Sequence, residues 1–142
     1  MMNNMIQNNP VSEIMVKNII ALKRGDNLER AEMLFNKYKI KHIPVVSSDV
    51  VIGMLSFSDL LKISLAEITE DEHNVNTIVY NTFKIEQVMS KNIVTIHSDT
   101  TIKEAATILA EREFHALPVV DEGVLVGIVT TTDLLNYYIK QY

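Results

Sequence analysis

The chain has 142 residues, 47% of them hydrophobic, a formal net charge of −5 and no cysteine. That much apolar material excludes a disordered chain, and the lack of cysteine excludes disulfides, thiolate metal centres and cysteine nucleophiles. The acidic balance argues against a general nucleic-acid binder, which needs clustered lysine and arginine over an extended face.

The first ten residues, MMNNMIQNNP, lack the basic and apolar regions of a secretory signal, so they read as a polar arm (1–10) of a cytoplasmic protein. No later run approaches the roughly 20 apolar residues of a spanning helix, and membrane insertion is not expected. From residue 11 the chain repeats itself at an offset of 74. Met15, Lys17, Asn18, Ile19 and Ala31 recur as Met89, Lys91, Asn92, Ile93 and Ala105. HIPVV at 42–46 falls on ALPVV at 116–120, and Gly53, Asp59, Leu60 and Leu61 recur as Gly127, Asp133, Leu134 and Leu135. Matches so evenly spread under one ungapped offset define two copies, 11–67 and 86–142, joined by a linker at 68–85.

Each copy predicts the order β-α-β-β-α. IIAL (19–22) and IVTI (93–96) are short β-branched runs, expected as strands. Helical periods follow, with Leu28, Ala31, Leu34, Phe35 and Tyr38 on one apolar face and Ile102, Ala105, Ala106 and Leu109 on the other copy's. Asn27 and Thr101 stand at N-cap positions, and Thr101 with Glu104 has capping-box spacing. IPVV and LPVV, where proline suits a strand's first residue or edge, form hairpins with VVIGML and VLVGIV across SSD (47–49) and DEG (121–123). The last helix of each copy is expected to start near Ser58 or Thr132. A lone copy is too small to bury its own apolar faces, so the copies should pack together. Glu70, Asp71, Glu72 and His73 are consecutive rather than convergent, which reads as solvated linker and not as a metal site.

Two segments carry candidate chemistry. In G-M-L-S-F-S-D (53–59) and G-I-V-T-T-T-D (127–133) a glycine interrupts a strand, marking a bulge or a close approach. Ser56 and Thr130 then stand three residues before Asp59 and Asp133. Hydroxyls and free amides at a helix start favour a phosphate, and a carboxylate one turn on suits the vicinal diol of a ribose. The same residues also serve as ordinary caps. Upstream, Lys41 and His42 precede Ile43-Pro44, and His115 and Ala116 precede Leu117-Pro118. There the missing proline N–H leaves backbone groups able to read a base edge; solvated or internally satisfied side chains are the plainer reading.

The two h-x-x-h-P segments (IKHIP at 40–44, FHALP at 114–118) followed by two G-h-h-S/T-x-x-D segments resemble cystathionine β-synthase (CBS) domains, a tandem pair of which is called a Bateman module. The resemblance covers about residues 11–139. It implies an α+β (α/β) fold with two β-α-β-β-α repeats packed about a pseudo-twofold axis, and clefts between them for adenosine-containing ligands. Carried over by motif, Asp59 and Asp133 would hold ribose hydroxyls, and Ser56 and Thr130 phosphate or ribose. Backbone at His42-Ile43 and Ala116-Leu117 would read adenine, helped by the strands near Ile20-Ala21 and Val94-Thr95. Lys41, His42 and His115 would reach phosphate, and Met54 and Phe57 would crowd the first site.

The basic groups favour an adenine nucleotide, AMP, ADP or ATP with or without Mg²⁺, over S-adenosylmethionine. The family's habit of pairing through helix faces implies a homodimer through LLKISLAEI (60–68) and LLNYYI (134–139), and a separate protein partner receives the signal. Two other readings stand beside this regulatory one: a ligand-free dimerisation module, and an enzyme using Asp59 and Asp133 as an acid/base pair. Against the enzyme, the sequence has no G-x-S-x-G, H-E-x-x-H, Walker or G-x-G-x-x-G motif.

Overall fold

The structure is a computed structural model that describes residues 9–66, 83–112 and 114–142. It is a mixed α+β fold whose Cα packing divides into two compact units. A continuous unit runs Ile20–Ile93, and a composite unit joins Met1–Ile19 to Val94–Tyr142. The acidic stretch containing His73 lies outside the described residues.

In the continuous unit, β1 (Leu22–Lys23) is followed by α1 (Leu28–Tyr38), β2 (His42–Ser47), β3 (Val50–Ser56), α2 (Phe57–Ala66) and the short α3 (Ile85–Val88). The sheet order is β1-β2-β3, with β1 parallel and β3 antiparallel to β2. Asn27 starts α1 by accepting the Arg30 amide at 2.8 Å. Leu28, Ala31, Leu34 and Phe35 turn the buried stripe onto the sheet. The core also takes Ile43, Val45, Leu55 and Leu60, then Ile85, Val88 and Met89 from the start of the second sequence copy.

The composite unit repeats the plan with α4 (Ile102–Glu111), β4 (Ala116–Asp121), β5 (Val124–Thr130) and α5 (Thr131–Lys140). Its counterpart of α3, a 3-10 turn at Val11–Glu13, comes from the front of the chain. Val11 is fully buried in a core with Ile96, Ile102, Leu117, Val119 and Val129. Its amide donates to the Thr100 carbonyl at 2.8 Å, and the Ile102 amide donates to the Asn9 carbonyl at 2.8 Å. Each copy's approach segment therefore completes the sheet of the other copy. Val16 and Ile128 exchange two backbone bonds (2.9 and 3.1 Å), and Ser90 and Met54 exchange the same two (2.8 and 3.0 Å) one offset away.

Several sequence expectations need correction. The first strand is only Leu22–Lys23, and its counterpart shrinks to one parallel bridge, Ile96 to Val119. These runs have a single ladder partner each; Ile20, Leu22, Val94 and Ile96 face a core, and the other residues join neither the ladder nor the buried core. Tyr38 is exposed because α1 ends there on Lys39, which takes a left-handed conformation at φ 53°. The last helices begin one residue earlier than expected, at Phe57 and Thr131. Pro44 and Pro118 are third in their strands, not first. Opposite them, Met54 and Ile128 turn their backbone groups away to Ser90 and Val16, so the prolines occupy non-hydrogen-bonded pairs and their missing N–H removes no hairpin bond. Both hairpins close on two residues with positive φ, Ser48 (49°) with Asp49 (69°) and Glu122 (50°) with Gly123 (80°), the geometry whose twist matches the strands.

Candidate functional site

The site residues gather in each unit where the hairpin hands over to the last helix. In the continuous unit His42 lies opposite Ser56, so the first residue of β2 and the last of β3 share one end of the sheet. The Phe57 amide, first in α2, donates to the Lys41 carbonyl at 3.0 Å. Ser56 accepts the Asp59 amide on its Oγ at 3.0 Å. The composite unit matches this bond for bond: Ala116 lies opposite Thr130, and the Thr131 amide donates to the His115 carbonyl at 3.0 Å. Its cap is reciprocal, with the Asp133 amide on Thr130 Oγ1 at 3.1 Å and the Thr130 amide on Asp133 Oδ2 at 2.9 Å. Capping leaves Asp133 Oδ1 and the second lone pairs of both oxygens available.

Asp59, Asp133, Ser56 and Thr130 are half-buried, while Lys41 and His115 are exposed. Ile43 and Leu117 have no exposed surface, and Pro44 and Pro118 are buried. These four can offer a ligand only backbone, and the Pro118 carbonyl already accepts the Ile96 amide at 3.0 Å. Ala21 and Thr95 each stand one residue before a sheet position, at Leu22 and Ile96. Phe57 packs on Phe35 with ring centroids 5.3 Å apart, and Met54 is buried, so both belong to the wall of their unit.

The two strand glycines have a further reason that the sequence alone did not supply. A Cβ on Gly127 would lie 2.5 Å from Met15 Sδ, and one on Gly53 would lie 2.5 Å from Met89 Sδ. Each methionine of the repeat docks on the glycine of the opposite copy, directly beside a bulge that displaces Ile52 or Val126 from the pairing. Recurrence of Met15 as Met89 at the same offset was the available signal.

Among the described residues no cluster of three or more histidine, aspartate or glutamate side chains could hold a metal ion, and no helix is long and apolar enough to cross a membrane.

The family model described as "CBS domain" matches residues 11–66 and 85–140. The chain belongs to the CBS domain family. A solved CBS domain pair, that of protein MJ0100 in complex with 5′-methylthioadenosine and S-adenosyl-L-methionine, is 25% identical and superposes with a TM-score of 0.79 over 94% of this chain and 98% of that one. CBSX2 in complex with AMP, 23% identical, shares the fold with a TM-score of 0.75 over 94% and 98%. Among curated relatives, a homoserine O-acetyltransferase of Methanohalobium evestigatum is 30% identical over 135 residues, which are 94% of this chain and 25% of that protein. The chain thus spans about a quarter of the length of the first curated relatives it matches.

Proposed function

We propose that this CBS pair is a regulatory module that binds adenosine-containing ligands and passes the bound state to a partner protein. The carrying observation is the carboxylate at the third residue of each closing helix, Asp59 or Asp133, on a helix start bonded to Lys41 or His115 within the h-x-x-h-P segment. A ribose diol finds two acceptors there, and helix amides and hydroxyls stand beside it for a phosphate. The adenosine compounds held by the MJ0100 pair support that ligand class. The module regulates only by binding one of two conformations better, because equal affinity for both shifts nothing. Leu135 and Ile139 are 57% and 68% exposed on one face of α5, which supports a homodimer formed through the closing helices.

A second reading is a ligand-free dimerisation module. The reciprocal cap of Thr130 and Asp133 favours it, since it gives both residues a structural task. Thermal unfolding with AMP, ADP, ATP with and without Mg²⁺, S-adenosylmethionine, methylthioadenosine and GTP separates the two. A ligand at a hundred times its Kd adds about 2.7 kcal/mol, a rise of roughly 5 to 15 °C for a chain of this size. A rise with adenosine compounds and not GTP is expected; no rise with any of them leaves the dimerisation module.

A further inference from the structure

We propose, building on the adenosine-binding reading, that the two sites are not interchangeable: the site of Lys41, Ser56 and Asp59 takes phosphate-bearing adenosine ligands, and the site of His115, Thr130 and Asp133 takes adenosine ligands without phosphate. The backbone of the two sites is the same under the 74-residue offset, down to the bonds from the Phe57 and Thr131 amides to the Lys41 and His115 carbonyls. The charge around that backbone is not. The segment entering β2 reads Lys-Tyr-Lys-Ile-Lys over residues 37–41, three lysines and no acid, whereas the matching 111–115 reads Glu-Arg-Glu-Phe-His.

The lysines of the first copy stand exposed on the segment that enters β2. Lys41 adjoins β2 and is tied by its carbonyl to the first amide of α2; Lys39 is two residues before it, and both are exposed. Lys37, in the last turn of α1, sets its Nζ 5.3 Å from the Tyr38 ring centroid. On α2 itself Lys62 follows Asp59 by one turn, and the matching residue on α5 is Asn136; both are exposed. In the composite unit Glu111, the last residue of α4, matches Lys37 in the last turn of α1, and Arg112 beside it offsets Glu111. A phosphate chain carries two to four negative charges, so its binding follows this local charge and weakens with salt. An adenosine thioether carries none, and its affinity rests on the carboxylate and backbone that both units share.

Titration calorimetry of the full chain with ATP and, separately, with methylthioadenosine tests the assignment. Wild type should bind one equivalent of ATP, lost in Asp59→Asn and kept in Asp133→Asn. Moving the second site's charges onto the first, with Lys37→Glu and Lys41→His, should weaken ATP about tenfold or more, on the scale of one or two close charge contacts, and weaken methylthioadenosine far less. The reciprocal pair, Glu111→Lys and His115→Lys, should create a second ATP equivalent. Two equal ATP equivalents in wild type, or ATP lost in Asp133→Asn instead, would overturn the asymmetry while the adenosine-binding reading stands. No heat from either compound, with no midpoint shift, would overturn both.

Discussion

Replacing either strand glycine by alanine gives a comparison the geometry ranks in advance. At Gly127 the three atoms nearest the new methyl are Met15 Sδ, Cγ and Cε at 2.5, 2.9 and 3.2 Å. All belong to one half-buried, flexible side chain that can swing aside. At Gly53 the methyl meets Met89 Sδ and Cγ at 2.5 and 2.9 Å, and also the Ser90 carbonyl at 3.0 Å. Met89 is buried, and the Ser90 carbonyl is fixed by the Met54 amide at 3.0 Å, so backbone must move. Overpacking costs about 1 to 3 kcal/mol, and alanine returns about 0.5 to 1 kcal/mol of backbone entropy. Gly127→Ala should therefore cost at most about 1 kcal/mol and Gly53→Ala about 2 kcal/mol, on those two ranges. At roughly 3 °C per kcal/mol for a chain this long, the midpoints should fall by about 3 and 6 °C. Adding Met15→Ala to Gly127→Ala should show favourable coupling in a double-mutant cycle, and Met89→Ala should relieve Gly53→Ala only in part. An equal or larger fall for Gly127→Ala would refute the reasoning.

Two further outcomes concern the turns and the acid limb of stability. Gly123→Ala puts a side chain at φ 80° and should cost about 1 to 2 kcal/mol, whereas Asp49→Gly in the equivalent turn should be neutral or stabilising by denaturant unfolding. Asp121 is held below the usual carboxylate range by hydrogen bonds from Ser98, whose amide donates to Oδ1 at 3.0 Å, and Glu86 is held low by Arg24, whose Nε donates to Oε1 at 2.9 Å. A depressed folded pKa stabilises above the unfolded value near pH 4 and that stability is lost as pH falls through the folded value. Asp121→Asn and Glu86→Gln should thus flatten the loss of stability below about pH 4; an unchanged acid limb in both variants would contradict the assigned hydrogen bonds.

The hairpins and long helices were legible because their signals are local. The two hairpins and the caps at Asn27 and Thr101 formed where spacing predicts, although Ser47 and Asp121 pair within the ladders and leave two-residue turns in place of the three-residue SSD and DEG. The first strands were not, since a β-branched run such as Ile93 to Ile96 looks the same whether it joins a ladder or only lines a core. Nor could the pattern say which body Met15 and Met89 would join, because the repeat carries one pattern twice. At the candidate site, motif spacing brought Ser56 with Asp59 and Thr130 with Asp133. The contrast of Lys37 with Glu111 and of Lys62 with Asn136 stands in the sequence under the same offset, and weighing it took the helices and strands that carry these residues.

The crossing of the approach segments has a consequence for synthesis at the ribosome. The continuous unit, Ile20–Ile93, has all its parts once residue 93 has emerged. The composite unit instead leaves Val11, destined for a fully buried place, waiting for Thr100, Leu117 and Val129 to be made. Its closure is a contact of long sequence separation, slow by the entropy of the loop it must shut. Val11 is made well before the residues that bury it and is among the last pieces to find its place.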